Sequence, residues 1–390
     1  MNRYILIHYS EIGLKKANKR YFVDKLRKQI KENLQKKFGI SFAVYDVLKR
    51  LKVSLPEDIS EEEYNDVLSK IFGIKNFQFV YEGAEDINVL ANQIYENLPE
   101  VAQKAETFCV RVKRSMLMDF TSVQMEREIG ALLLSMGLNK KVKLKGPDLE
   151  INIEFFSNKG FFSYKKYQGI GGLSYGSGGK LVALLSSGID SPVAAFQMMK
   201  RGARIIFVHF HSYPFSDKDQ IDQVNKITEI LSAYQLDTKL YLLPFGEVQK
   251  AIGTNLEVPG KFRIIMYRRL MVKIAEEIAR KEKAKGLVTG DSFGQVASQT
   301  LENMFVIHGA SKIPLFQPLI SFDKEDIVTI ARNIGTFEIS KLPCKDTCSM
   351  FTPKHPETRA KLKEVLDYEK HLPISDFIKE VLEKAEVVYF

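Results

Sequence analysis

At 390 residues the chain exceeds the size at which one hydrophobic core keeps growing, so two or three domains are expected. Hydrophobic residues make up 45%, yet no apolar stretch approaches membrane-spanning length, and the opening Met1–His8 is too soon polar for a secretory signal. Three cysteines are too few for a disulfide framework and fit a reducing, cytoplasmic setting with no membrane partner. The net charge of +9 is uneven: residues 1–60 carry 14 Lys and Arg against 6 Asp and Glu, residues 61–178 carry 14 against 16, and residues 179–390 carry 29 against 26. A positive field concentrated at the N-terminus favours a polyanion, and nucleic acid is the commonest one in cytosol; a solubilising face is the alternative.

In chain order, Tyr4–Tyr9 reads as a strand and is followed by a helix to about Phe38, in which Phe22, Leu26, Ile30 and Leu34 recur every four residues. Residues 42–55 supply one or two strands. Ser60 followed by three glutamates starts another helix, and Phe77–Tyr81 is a strand. This order is that of a small α+β, ferredoxin-like unit over residues 1–80. A second unit, residues 81–166, reads as a helix from Ile87 to about Glu106, a strand Thr107–Lys113, a helix Ser122–Met136, and strands at 142–144, 149–155 and 160–166. The cations standing out as candidate nucleic-acid contacts are Lys15, Lys16, Lys19 and Arg20, then Arg111, Lys113 and Arg114, then Lys140, Lys141 and Lys143. Residues 167–179, rich in glycine and without apolar periodicity, read as a linker.

From residue 180 strands and helices alternate, which means a doubly wound parallel sheet with helices on both faces. In such a sheet ligands sit beyond the carboxyl ends of the strands, and Leu184-Leu185, His209-Phe210 and Thr289-Gly290-Asp291 all fall at such ends. The first is the most informative. An apolar run, Leu181–Leu185, passes through Ser186-Ser187-Gly188-Ile189-Asp190-Ser191 into an alanine-rich helix. Unpaired N–H groups, the helix dipole and side chains as small as Ser186, Ser187, Gly188 and Ser191 make this turn an anion site. Asp190 would repel a triphosphate unless Mg²⁺ lies between them, or unless it caps the helix; both readings stand. No set of metal-ligating residues is singled out. Met266-Tyr267-Arg268-Arg269 places two adjacent arginines about a hundred degrees apart on a helix, so that one reaches a site and the other faces solvent. Cys344 and Cys348 lie close to Lys345, Lys354 and His355, cations that favour a thiolate. With Cys109 they could instead hold an iron–sulfur cluster.

The turn resembles the pyrophosphate loop, the Ser-Gly-Gly-x-Asp-Ser signature of enzymes that cut ATP between its α and β phosphates, with Ser187 in place of the first Gly. Together with Gly294-Gln295-Val296-Ala297-Ser298-Gln299-Thr300 it makes the whole chain resemble the tRNA 4-thiouridine synthetases, the ThiI family. The Ser10–Arg20 segment and residues 81–166 resemble that family's ferredoxin-like and THUMP RNA-binding modules. The resemblance implies that ATP adenylates the uridine oxygen at position eight of tRNA, releasing pyrophosphate, and that a persulfide sulfur replaces the activated oxygen. It implies nucleotide contacts from Leu184, Leu185, His209, Phe210, Arg268, Gly290 and Gln299, catalytic work for Asp190, a persulfide on Cys348 and a resolving role for Cys344. The sequence ends at Phe390, and the expected form lacks a C-terminal rhodanese domain. Sulfur is then expected from a cysteine desulfurase, directly or through a separate rhodanese-type carrier, and a homodimer is expected. Sulfur supply to thiamine thiazole synthesis is a further role of the family. Two other readings stay open: an RNA-binding protein with an inactive nucleotide fold, or another pyrophosphate-loop RNA-modifying ligase.

Overall fold

A computed structural model describes all residues except Ser10 and residues 57–58, 116–119 and 344–354, and in it the chain divides into two units, residues 1–174 and 175–390. The first unit runs β1 (Arg3–Tyr9), α1 (Lys19–Phe38), β2 (Val44–Val47), β3 (Arg50–Ser54), α2 (Glu61–Leu68), β4 (Ile74–Gly83), α3 (Ile87–Glu96), α4 (Glu100–Lys104), β5 (Thr107–Arg114), α5 (Ser122–Ser135), β6 (Lys141–Val142), β7 (Leu149–Phe156), β8 (Lys159–Ser163) and β9 (Tyr167–Gln168). Its strands form one sheet in the order β2-β3-β1-β4-β8-β7-β5-β6, with β9 also on β4. β4 is long enough to pair antiparallel with β1 along nearly its whole length and with β8 at its far end.

Local chemistry accounts for the boundaries. α1 buries Val23, Leu26, Ile30 and Leu34 and stops at Gly39, whose left-handed φ of 72° returns its N–H to the Gln35 carbonyl. α2 opens on a capping box between Ser60 and Glu63. The single helix expected over 87–106 is two, because Pro99 cannot continue α3 and instead precedes the first turn of α4. β1 sends Ile5, Ile7 and Tyr9 into a core with α1 and α2, while α3 and α5 cover Phe108, Val110, Ile151 and Ile153. The linker expected over 167–179 is not free chain at its start. Tyr167 stacks on Phe77 with ring centroids 5.3 Å apart, and Leu173 is buried in the first core. The glycines mark turns, with left-handed φ at Gly171 and Gly172, whereas Tyr167 and Leu173 supply the burial.

The second unit runs β10 (Lys180–Leu184), α6 (Asp190–Lys200), β11 (Arg204–His211), α7 (Asp219–Ser232), β12 (Lys239–Pro244), α8 (Gly246–Thr254), α9 (Arg263–Glu282), β13 (Leu287–Val288), α10 (Leu301–His308), β14 (Leu315–Phe316), α11 (Lys324–Ile334), α12 (Phe337–Ser340), α13 (Leu362–Glu369), α14 (Ile374–Glu383) and β15 (Glu386–Tyr389). The sheet order is β14-β13-β10-β11-β12-β15, parallel except for β15. On β11, Ile206, Val208 and Phe210 face the core built on α8 and α9, so the alternating Ile205, Phe207 and His209 face the other side. After β10 the chain builds outward to β12 and then returns to lay β13 on β10's other edge. That reversal opens a crevice at the carboxyl ends of β10 and β13, where α6 begins.

Candidate active site

The crevice is a cavity of about 440 Å³. Leu184, Leu185, Ser186, Gly188, Asp190, Ser191, His209, Phe210, Arg268, Gly290 and Gln299 line it, which brings together every residue expected to hold nucleotide except Ser187. Ser187 has no left-handed φ, so a side chain sits there without backbone strain.

The loop after β10 is held by its own hydroxyls. Ser191 Oγ accepts the Ser186 N–H at 2.8 Å and lies 3.0 Å from Ser186 Oγ, which in turn accepts the Gly188 N–H at 3.3 Å. The residue before α6, Ile189, has no capping side chain, so the helix's first N–H groups meet no side-chain oxygen there. Asp190 does not cap the helix: Oδ1 pairs with Lys324 Nζ at 2.5 Å and Oδ2 accepts Gln295 Nε2 at 3.2 Å. Gly290 is required for a reason other than ligand approach. A Cβ there would lie 2.7 Å from the Ser191 nitrogen, so the glycine lets the end of β13 touch the start of α6.

His209 is 1% exposed, and its Nδ1 lies 2.9 Å from the Leu185 carbonyl. A carbonyl only accepts, so Nδ1 carries the proton and Nε2 a lone pair. Burial lowers this imidazole to about 4, and it is neutral. Arg268 donates Nη2 to Asp291 Oδ1 at 2.6 Å and Nη1 to Ser298 Oγ at 3.3 Å. Ile264, Met271 and Val272, one turn away on the same helical face, make the wall around it apolar. Arg269, expected in solvent, is 1% exposed: it pairs with Glu369 at 2.9 Å and donates to the Val306 carbonyl. α9 is covered on more than one side, by α10 and α14 as well as the sheet, with Glu369 of α13 reaching over it, and a helix so enclosed has no solvent face at that position.

Lys324 is the functional candidate that sequence reasoning leaves out, and Asp291 is one to which it gives a place at a strand end but no specific role. Asp291 lies within the motif and reads there as a generic polar group. Lys324 carries no local signal, since it reaches Asp190 through the fold alone.

Cys344 and Cys348 lie outside the described residues. The flanks of their segment are fixed beside the cavity. Ser340 Oγ donates to the Gly188 carbonyl at 3.3 Å, and on the other flank Glu357 and Thr358 offer carbonyls to Asn303 Nδ2 and Thr300 Oγ1, each at 2.7 Å. Cys109 is buried in the first unit, where burial pushes its thiol up. Of the cations expected to meet nucleic acid, Lys16, Arg20, Lys113, Arg114, Lys141 and Lys143 are exposed. Lys15 and Lys19 lie over the Phe22 and Tyr9 rings, while Arg111 and Lys140 donate to the Leu144 and Ala105 carbonyls. Among the described residues no three His, Cys, Asp or Glu gather around a common point, and no helix is long and apolar enough to cross a membrane.

Three family models match the chain: the ThiI ferredoxin-like domain over residues 4–78, the THUMP domain over 81–164 and the thiamine biosynthesis protein ThiI over 176–374. A probable tRNA sulfurtransferase of Bacillus pumilus is 36% identical over 390 residues, spanning 99% of this chain and 95% of that protein. Another, of Thermoanaerobacter pseudethanolicus, is 38% identical over 393 residues, spanning 98% and 100%. Among solved structures, a complex of a 4-thiouridine synthetase with RNA and bound ATP matches with a TM-score of 0.88 at 33% identity, covering all of both chains. The loop, the motif after β13 and the modules before them thus have one common explanation, and the chain belongs to the ThiI family, whose matched relatives bear the name tRNA sulfurtransferase.

Proposed function

We propose that the protein is an ATP-dependent tRNA sulfurtransferase that makes 4-thiouridine at position eight of tRNA, working in the cytoplasm. The observation that carries this reading is the cavity at the switch point of the sheet, walled by the hydroxyl-braced loop and the start of α6 at one end and by Arg268 among apolar side chains at the other. The adenosine moiety suits the apolar wall and the triphosphate suits the loop. Lys324, at the carboxylate of Asp190, adds positive charge for the leaving pyrophosphate.

In the first half-reaction the uridine O4 attacks the α-phosphorus, the bond to the β-phosphate oxygen breaks, and pyrophosphate leaves as the base loses its N3 proton. In the second, the terminal sulfur of a Cys348 persulfide attacks C4 and AMP departs. The Cys344 thiolate then takes the Cys348 sulfur, forming a disulfide and freeing the thiouridine; a reductant reopens the enzyme. A Mg²⁺ ion fits Asp190, since each of its oxygens accepts a single donor, Lys324 on Oδ1 and Gln295 on Oδ2, and keeps a lone pair on the cavity side; Asp190 would hold the ion together with the substrate's own phosphates, and the ion would supply charge to the triphosphate. The sulfur comes from a cysteine desulfurase, directly or through a separate carrier, and two copies of the chain associate.

One assay tests the whole. With tRNA, Mg-ATP and a desulfurase with cysteine, the parent protein forms 4-thiouridine absorbance and pyrophosphate. Asp190→Ala abolishes both, and unchanged turnover would sink the loop assignment. Cys348→Ser releases pyrophosphate without forming thiouridine; a loss confined to Cys344→Ser would reverse the two cysteine roles.

A further inference from the structure

The polar centre of the cavity wall is a carboxylate to which neither the loop nor the cysteines assign a task. Asp291 is 5% exposed, and each of its oxygens accepts two hydrogen bonds. Oδ1 takes Arg268 Nη2 at 2.6 Å and Gln299 Nε2 at 3.1 Å, while Oδ2 takes Thr289 Oγ1 at 2.7 Å and Gln317 Nε2 at 3.2 Å. The donors on Oδ1 are the two cavity side chains, one from α9 and one from the turn before α10, expected to grip the nucleotide. One oxygen atom therefore sets the position of both.

Three other roles for this carboxylate are excluded by its surroundings. Burial alone would raise the carboxyl, but the Arg268 charge and the donated hydrogen bonds overcome it and hold the group at about 2, so it carries no proton to exchange at neutral pH. With both oxygens saturated it has little to offer a metal ion. Nor is it a surface ion pair of small worth, since Arg268 is only 21% exposed in its side chain and Asp291 7%. What remains is preorganisation: donors held in place before the ligand arrives lose no freedom when it binds.

We propose that Asp291 is a positioning residue that fixes Arg268 and Gln299 against the nucleoside end of the nucleotide cavity. Compensated by Asp291, Arg268 acts there as a directed hydrogen-bond donor among Ile264, Met271 and Val272, and the phosphates are left to the loop and the start of α6. The proposal rests on the cavity being an ATP site, as argued above.

The test measures ATP and tRNA affinity separately on the full-length protein by equilibrium titration, with a thermal midpoint for each variant. Asp291→Asn keeps the shape, removes the charge and turns an acceptor into a donor facing other donors. The expected result is ATP binding weakened tenfold or more with tRNA affinity within twofold of the parent. Adding Asp291→Asn to the double variant Arg268→Met with Gln299→Met is expected to cost no more than a further twofold, because the carboxylate acts through those two side chains. Parent-like ATP affinity in Asp291→Asn, or a further loss of fivefold or more when Asp291→Asn is added to the variant that lacks both side chains, would overturn the proposal. Should Asp291→Asn fail to fold, Arg268→Lys decides. Lysine keeps the charge but not the fixed planar fork, so ATP weakens at least fivefold if direction matters, whereas unchanged affinity refutes it. A parent protein that binds tRNA but no ATP would instead refute the functional reading itself.

Discussion

His209 shows how much one buried side chain can couple to solvent conditions. Its Nδ1–H holds the carbonyl at the start of the phosphate loop, and burial lowers its pKa from 6.5 to about 4, a shift only partly opposed by that hydrogen bond. The unfolded imidazole takes up a proton near 6.5 and the folded one resists until about 4. Between those values protons favour the unfolded chain, and stability falls as pH falls. The expected contribution is about 2 kcal/mol lost between pH 7 and pH 5. His211 and His308 are lowered by burial too and act in the same direction. Urea unfolding at a series of pH values should therefore show a steep acid limb, made shallower but not removed by His209→Asn. At this scale the sequence is legible where chemistry is local, as in the small residues from Ser186 to Ser191. It is not legible where a side chain's fate depends on what packs against its helix, as with Arg269: helix geometry only separates it from Arg268, the resemblance that gives Arg268 the site leaves Arg269 to solvent, and Glu369 draws it inside.

Among the elements, strands far apart in the first unit's sheet are tied together by side chains that no local pattern reveals. On the face opposite α1 and α2, Glu154 of β7 pairs with His8 of β1 at 2.9 Å and with Arg50 of β3 at 3.0 Å, and the Arg50 guanidinium lies over the Phe156 ring. β7 is separated from β1 and β3 by β4 and β8, so the sheet must curl to bring it to them, and Leu6, Val80, Phe156 and Phe161 form a small core in the hollow. Arg50 and Glu154 are both nearly excluded from solvent. Removing one charge strands the other, at about 3–5 kcal/mol. Glu154→Ala is expected to lose that much in denaturant unfolding, and Glu154→Leu with Arg50→Met to recover most of it. Two hairpins make the same point about legibility. β2–β3 turns through Leu48-Lys49 and β7–β8 through Ser157-Asn158, all four residues with positive φ, although only the second pair has the turn chemistry that sequence rules look for.

For the whole molecule, the two units carry different parts of the proposed work, and the densest run of cations belongs to the first. The excess of cations lies in residues 1–60, while the nucleotide cavity lies wholly in the second unit. Replacing Lys16, Arg20, Lys113 and Lys143 together by Gln should weaken tRNA binding at least tenfold, flatten its dependence on salt, and leave ATP affinity unchanged, as filter binding across a salt series would read. The order of modules was open to sequence reasoning because each carries its own hydrophobic period. That β4 joins the first two modules into one sheet was not, since strand sharing depends on length and register rather than composition.

The two glycines of the cavity wall invert the importance that motif reading gives them. Gly188 belongs to the recognisable loop signature, yet it has no left-handed φ, and a Cβ added to it would meet only the Ser186 hydroxyl, at 3.4 Å. Gly290, in the less recognisable turn after β13, has peptide backbone of Asp190 and Ser191 where its Cβ would go. Under selection for folding alone, drift can replace the first by alanine and cannot replace the second. Lineages in which the loop has lost its signature would still be traceable by the glycine that the helix leans on.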